Sequence, residues 1–367
     1  MFVLPSVDIG LPSGGALTIY NLANRLKSDG YSVFFVFLNN CKSYFHKKDP
    51  MISYHYSVFD ILQLFPRLTT QIISPLYRII RGIRKFENEP LSNERIFVRM
   101  GEKLRMDIHI DNLIACEWIS SYFANDFDDK KVSNKFRIIN HSEEDKRFNP
   151  LFSEYALASY QFPITKIVYN HSLEKKFGKE NVLRFTYGYD DKRFQLKIDM
   201  QSKPNDCLLV PLRNGKEKGT EFALEVIDKI HQSHPKIKIV AFGNYRGKVP
   251  EGVEFHFSPT TELNELYNKS SVFFLPSTVE GFSLPTVEAM ACGCAIVCIK
   301  NEGTMEYINE GINGIFAKPG DSKGVAEIII DLLSDEGKRS RLAREGVSTA
   351  RNFTQDNMYV SFRKLFT

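Results

Sequence analysis

Two glutamates eight residues apart, Glu280 and Glu288, flank the run Gly-Phe-Ser-Leu-Pro-Thr-Val, with Val272-Phe-Phe-Leu275 and Pro276 ahead of them and Ala-Met-Ala-Cys-Gly behind. The four apolar residues read as a short buried strand that Pro276 stops. Pro285 reads as the first residue of a helix, where a missing N–H is tolerated. Glu280 then falls on a loop and Glu288 in the helix's first turn. The N–H groups of Phe282, Ser283 and Leu284 would point out of that helix end and attract an anion, with a carboxylate on either side to grip hydroxyls. An ordinary strand, loop and helix unit explains Phe282 and Leu284 as packing residues, but gives no reason for carboxylates at both ends.

A second constellation follows the apolar run ending at Val210, in Pro-Leu-Arg213-Asn-Gly-Lys216-Glu-Lys218-Gly219. The carboxyl end of a strand is where ligands sit in open α/β sheets, and two cations there can neutralise a diphosphate as its charge develops. A solvated basic loop is the plain alternative, and Lys216 competes with Lys218 for the role. Gly14 and Gly15, between a strand and a helix start, let backbone approach a phosphate or sugar with no Cβ in the way. His141 ends the strand-like Ile138-Ile-Asn, and Glu117 follows another strand. An anion flanked by hydroxyls is what a nucleoside diphosphate sugar presents.

The segment from Glu280 to Gly293 strongly resembles the glutamate, seven residues, glutamate signature of the retaining family 4 glycosyltransferases, also called glycosyl transferases group 1. That family has the GT-B fold, two Rossmann-like parallel-sheet domains facing a central cleft. The resemblance implies that Glu280 holds hydroxyls of the donor sugar, Glu288 the ribose diol, and Arg213 with Lys218 the diphosphate. Gly281, Phe282, Ser283 and Leu284 would line the donor. It also implies that Gly14 and Gly15 lie against donor and acceptor, where the alternative is merely a tight turn, and that His141 reaches the donor sugar, where the alternative is a structural histidine; Glu117 either lines the acceptor side or is a surface carboxylate. Gly243 and Ser258, in loops after strands, resemble the family's nucleobase neighbourhood. The resemblance implies no metal and no cofactor. Cys294-Ala295 stands where the family often has a residue followed by proline, a departure affecting local loop stiffness.

These residues need a frame, and the chain supplies one. Its 367 residues exceed a typical domain and suit two cores. Strand and helix patterns alternate throughout, as in α/β parallel sheets covered on both faces. Phe2-Val-Leu opens, a helix carries Ile19, Leu22, Ala23 and Leu26 on one face, and a strand runs over residues 33–38. Later strands are expected over 112–116, 137–141, 166–169, 207–210, 237–242, 272–275 and 295–299, with helices near 219–232, 261–269 and 285–292. The domains are expected as 1–198 on the acceptor side, 199–350 binding the nucleotide sugar, and 351–367 as a helix packing back on the first.

A net charge of +4 does not indicate a nucleic-acid protein. Six cysteines without paired C-x-x-C spacing suit a reducing cytoplasm, and no apolar run approaches a membrane span. Asp126-Phe-Asp128 spells a metal-binding signature of another glycosyltransferase fold, but in a polar turn rather than after a buried strand. Cys292 and Cys294 lack further ligands at metal-site spacing, and His171 reads as interdomain scaffold. Between Lys42 and Lys85 stand eight basic residues against two acidic ones, and residues 72–86 mix aliphatic and cationic side chains as a helix lying on an anionic membrane would. Packing of that helix on the first domain is the alternative. The expected protein is a cytoplasmic, metal-independent, retaining glycosyltransferase. It would act on a growing bacterial surface glycan, through a glycan or glycolipid acceptor and peripheral membrane contact. A nucleotide-sugar epimerase or hydrolase on the same fold, and a catalytically silent glycan-binding subunit, are the rival readings.

Overall fold

The computed structural model describes residues 1–4, 14–39, 95–99, 104, 108–143, 152–258 and 262–366. The basic segment at 42–85 and the helix expected over 72–86 lie outside the described residues. The chain divides into two compact units, Met1–Val168 with Phe177–Leu183, and Tyr169–Lys176 with Arg184–Thr367.

The first unit is built on β1 (Phe2–Leu4), β2 (Phe35–Asn39), β3 (Arg95–Arg99), β4 (Ile110–Ala115), β5 (Val132–Ile138), β6 (Thr165–Val168) and β7 (Val182–Arg184), in the order β3-β2-β1-β4-β5-β6-β7. The pairings from β3 through β6 are parallel. Its helices are α1 (Gly14–Ser28), α2 (Trp118–Asp126) and α3 (Ser153–Ser159), and α4 (His171–Phe177) follows β6. On α1 the residues Ile19, Leu22 and Ala23 are buried at the helical spacing expected of them, and Gly30, at φ +91°, turns the chain toward β2. Each large aliphatic side chain so buried contributes roughly 1.5 to 3 kcal/mol. Strand β5 begins five residues earlier than expected, because exposed Ser133 and Asn134 interrupt the apolar pattern.

The second unit carries β8 (Cys207–Pro211), β9 (Lys238–Gly243), β10 (Val253–Phe257), β11 (Val272–Leu275), β12 (Ala295–Ile299) and β13 (Ile315–Ala317), in the order β10-β9-β8-β11-β12-β13 and parallel throughout. Every residue of β8, β11 and β12 is buried, which is why these strands read as unbroken apolar runs. The helices are α5 (Thr220–Ser233), α6 (Leu263–Asn268), α7 (Leu284–Ala291), α8 (Ser322–Ser334), α9 (Glu336–Ala350) and α10 (Gln355–Arg363). Ala223, Val226, Ile227 and Ile230 of α5 and Val325, Ile329 and Leu332 of α8 pack into one core with the sheet.

In both sheets the first strand lies inside and the winding reverses beside it, between β1 and β4 in one and between β8 and β11 in the other. Such a reversal leaves a crevice at the strands' carboxyl ends, the ordinary ligand position of an open α/β sheet.

The compact units divide the chain earlier than the 198/199 boundary read from sequence. Residues 184–198 and α10 pack with the second unit. The physical reason lies in α10 and the turn just before it. Phe362 is fully buried with its ring 5.4 Å from Phe185, Ser361 Oγ accepts the Thr186 N–H at 2.8 Å, and the Tyr189 N–H donates to Phe353 O at 2.8 Å. The last helix packs on residues 185–189, which here belong to the second unit.

Candidate active site

Arg213 follows β8 and Glu280 follows β11, the two strands that flank the reversal point. Arg213 Nη2 donates to Glu280 Oε1 at 2.5 Å and to Ser277 Oγ at 2.8 Å, and Lys218 Nζ donates to the same Glu280 oxygen at 3.2 Å. Glu280 is 8% exposed, while the two cations are about a fifth exposed and so face solvent in part. Burial draws the Glu280 carboxyl upward, but the charges of Arg213 and then Lys218 outweigh it and hold it below its ordinary value. Two cations around one anion leave a local excess of one positive charge. Lys216 is exposed, and Lys218 is the lysine bonded to Glu280.

The backbone that carries this cluster is held tightly. Thr220 Oγ1 accepts the Arg213 N–H at 2.9 Å and donates to Arg213 O at 2.6 Å, while the Thr278 N–H donates to Glu217 O at 2.9 Å. Asn301 Nδ2 donates to Ser277 O at 2.9 Å. Gly219, at φ +68°, turns the chain into α5 so close to Pro276 O that a Cβ would collide with it. Gly303 lies against the Glu280–Phe282 loop, where a Cβ would sit 2.8 Å from Glu280 O.

Glu288 is set differently. The helix α7 starts at Leu284, with Ser283 as its cap at φ +67° and Ser283 Oγ 2.8 Å from Thr286 Oγ1. Pro285 is thus the second helical residue. Glu288 stands one turn in rather than in the first turn, with its carboxylate turned to α6. There Tyr267 OH donates to Glu288 Oε2 at 3.0 Å. Burial pushes its carboxyl up to about 7, against the Tyr267 hydrogen bond and the charge of Arg193.

Between the glutamates, Gly281 O accepts from Asn170 Nδ2 at 3.1 Å. The Phe282 ring is buried among Tyr187, Tyr307 and Phe353, so this residue offers a ligand its backbone and not its side chain. Leu284 is half-buried at the helix start. Gly243 ends β9 at φ +138°, its Cβ position blocked by Leu212 O, and Ser258, at φ 45°, donates its N–H to Gly243 O at 2.7 Å. Asn214 bridges to the same turn through Asn244, N–H to Oδ1 at 2.9 Å.

The remaining candidates belong to the first unit. Gly14 and Gly15 open α1 after β1, Glu117 is exposed between β4 and α2 with its N–H donated to Ser120 Oγ at 3.0 Å, and His141 is half-buried three residues past β5. Because β1, β4 and β5 are consecutive in the sheet, these residues follow the carboxyl ends of neighbouring strands. His171 joins a different cluster in the second unit, its Nδ1 2.7 Å from Glu306 Oε2, with Arg184 on both. Asp128 caps a short 3-10 turn by accepting the Lys130 N–H at 3.0 Å, and Asp126 closes α2. Cys292 and Cys294 are buried thiols bonded to Asn264 Oδ1 and Tyr267 O, and burial pushes both up. No group of three or more His, Cys, Asp or Glu side chains placed to hold a metal ion occurs among the described residues.

Sequence reasoning missed Ser277, Thr220, Asn301 and Tyr267. Each acts by supporting a named residue from another element, and a single chain gives such a supporter no spacing signal. Gly303 had one available signal, a glycine four residues past a buried strand.

Residues 191–348 match the family of glycosyl transferases group 1. An N,N'-diacetylbacillosaminyl-diphospho-undecaprenol alpha-1,3-N-acetylgalactosaminyltransferase of Campylobacter jejuni is 33% identical over 115 residues, 31% of each protein. The amylovoran biosynthesis glycosyltransferase AmsK of Erwinia amylovora is 24% identical over 243 residues, 61% of this chain and 58% of AmsK. The chain thus aligns with about a third of the first relative's length and under two thirds of the second's. Anabaena HepE, solved with UDP and glucose, superposes with a TM-score of 0.67 at 15% identity, covering 99% of this chain and 98% of HepE. The fold is GT-B. The family match falls within its second unit.

Proposed function

We propose that this chain is a metal-independent, retaining glycosyltransferase that moves a sugar from a nucleoside diphosphate donor to a hydroxyl of a growing, lipid-linked surface glycan. One observation carries the reading: Glu280 Oε1 is shared by Arg213 and Lys218 where the winding of the second sheet reverses. Cations fixed there stabilise a departing diphosphate without reorganising during the reaction. The bond from the sugar's anomeric carbon to the diphosphate breaks, the acceptor oxygen bonds to that carbon, and the acceptor proton goes to the departing phosphate. Glu280 holds sugar hydroxyls, Glu288 the ribose diol, and the backbone of 281–284 the phosphates. Gly243 and Ser258 border the base, while Gly14, Gly15, Glu117 and His141 serve the acceptor and the sugar.

The lipid-linked acceptor is supported by the undecaprenol diphosphate named for the Campylobacter relative and by the basic segment 42–85. Peripheral contact with an anionic membrane on the cytoplasmic side belongs to the same reading. The test is a thermal-shift panel of nucleoside diphosphate sugars followed by transfer assays with lipid-linked glycans. A donor at 100 times its dissociation constant adds roughly 2.7 kcal/mol of stability. Stabilisation by a donor and acceptor-dependent release of nucleoside diphosphate, persisting in excess EDTA, is expected. Donor hydrolysis or epimerisation indifferent to acceptor would overturn transfer, and loss in EDTA reversed by manganese would overturn metal independence and direct attention to Asp126 and Asp128.

A further inference from the structure

The loop that carries His141 is pinned at both ends by groups that a hydrophobic core would not call for. Before it, the Ile139 N–H donates to Ile167 O at 2.9 Å, extending the contact of β5 with β6. After it, the Glu143 N–H donates to Tyr160 OH at 3.0 Å, and the Glu143 carboxylate pairs with Arg137, which stands on β5 itself. Only Asn140, His141 and Ser142 lie between these anchors. Arg137 is 1% exposed and Glu143 4%. The guanidinium also donates to Ser159 Oγ at 2.9 Å and lies 4.6 Å from the centre of the Tyr160 ring.

Burying both charges is a poor way to stabilise a fold. Each ion loses its hydration, and an apolar pair of similar volume at such a position is often as stable or more so. The cost is visible here, since Arg137 Nε is buried with no hydrogen-bond partner among the described residues. Aliphatic residues occupy the adjacent positions, Ile138 and Ile139. What an ion pair adds over apolar contact is direction: a carboxylate gripped by a guanidinium has a defined geometry, whereas apolar side chains slide. We infer that Arg137 and Glu143 are positioning residues that hold the His141 loop at the carboxyl edge of the first unit's sheet. The role rests on the proposed contact of His141 with the donor sugar.

The test compares Arg137→Met/Glu143→Leu, which removes the pair without stranding either charge, with Glu143→Gln, which keeps the size and part of the hydrogen bonding. Each is made alone and combined with His141→Ala, and each is measured for thermal midpoint, nucleoside diphosphate affinity and kcat. Small misplacements of a reacting group cost up to about 10²-fold in rate. The apolar double variant is expected to keep the wild-type midpoint and nucleoside diphosphate affinity and to lose ~10- to 10²-fold in kcat. Glu143→Gln should lose less, and neither should add to the loss caused by His141→Ala. Wild-type kcat in both variants, or losses that multiply fully with that of His141→Ala, would overturn the positioning role while leaving His141 at the sugar. Wild-type kcat in His141→Ala alone would instead remove the histidine contact, and the positioning role with it.

Discussion

Glu280 and Glu288 are the same residue type eight positions apart, and the fold gives them opposite surroundings. Glu280 meets two cations and is held ionised below its ordinary value, whereas Glu288 meets a tyrosine hydroxyl and is pushed up to about 7 by burial. The cause is architectural. The loop after β11 faces the cation-bearing loop after β8, while one turn of α7 aims the second carboxyl at α6. Two carboxyls whose environments drive them apart are suited to different tasks. Glu280 is a fixed anion that also orients two cations, and Glu288 is a hydroxyl acceptor whose charge depends on pH near neutrality.

The largest loss is expected at the cations. Arg213→Ala and Lys218→Ala are each expected to lower kcat/KM by ~10²- to 10³-fold, the usual cost of removing a donor aimed at developing charge, worth ~2.7 to 4 kcal/mol. Steady-state kinetics at subsaturating donor check this. Unchanged turnover in both variants would remove the diphosphate role from this cluster.

Acid and base titration sharpen the contrast, because the two glutamates contribute with opposite sign. The folded protein keeps a proton on Glu288 up to about 7, whereas the ordinary value is 4.5. Its contribution to stability is therefore lost as pH rises through that window. Glu280 is depressed when folded, so its contribution is present above its ordinary value and lost as pH falls through the folded value. Urea denaturation from about pH 2 to about pH 8 should show Glu288→Gln flattening the loss toward neutrality and Glu280→Gln flattening the loss in acid. The same slope in both variants would mean that their surroundings do not differ as described. Nucleoside diphosphate binding should also tighten between pH 6 and 8 in wild type more than in Glu288→Gln.

The smallest expected effect belongs to Lys216→Ala. Its exposed side chain is outside the cluster, so kcat/KM should stay within about twofold of wild type, as for most surface substitutions. A loss equal to that of Lys218→Ala would mean that the two lysines exchange places on a bound donor.

Much of this was legible in the chain. Buried parallel strands announce themselves as unbroken apolar runs, so β11 and β12 match residue for residue, and the loops after such strands carry Arg213, Lys218 and Glu280, whose expected roles come from the family resemblance. Edge strands were harder. In β10 no residue is fully buried, and β3 and β7 lie at the sheet's margins, where the apolar signal fades. The support of Glu288 by Tyr267 and of Arg213 by Ser277 and Thr220 depends on which elements meet, and one sequence does not reveal that. The Arg137 and Glu143 pair was hidden for a related reason, since charged residues in sequence read as surface until a fold encloses them.

The division of labour between the glutamates is tested most directly by calorimetric titration of Glu280→Gln and Glu288→Gln with a nucleoside diphosphate and with the corresponding nucleoside diphosphate sugar. Glu288→Gln is expected to weaken both ligands alike, by about tenfold or ~1.4 kcal/mol, and Glu280→Gln to weaken the sugar-bearing ligand while leaving the free diphosphate close to wild type. Equal losses for the free diphosphate in both variants would contradict that division.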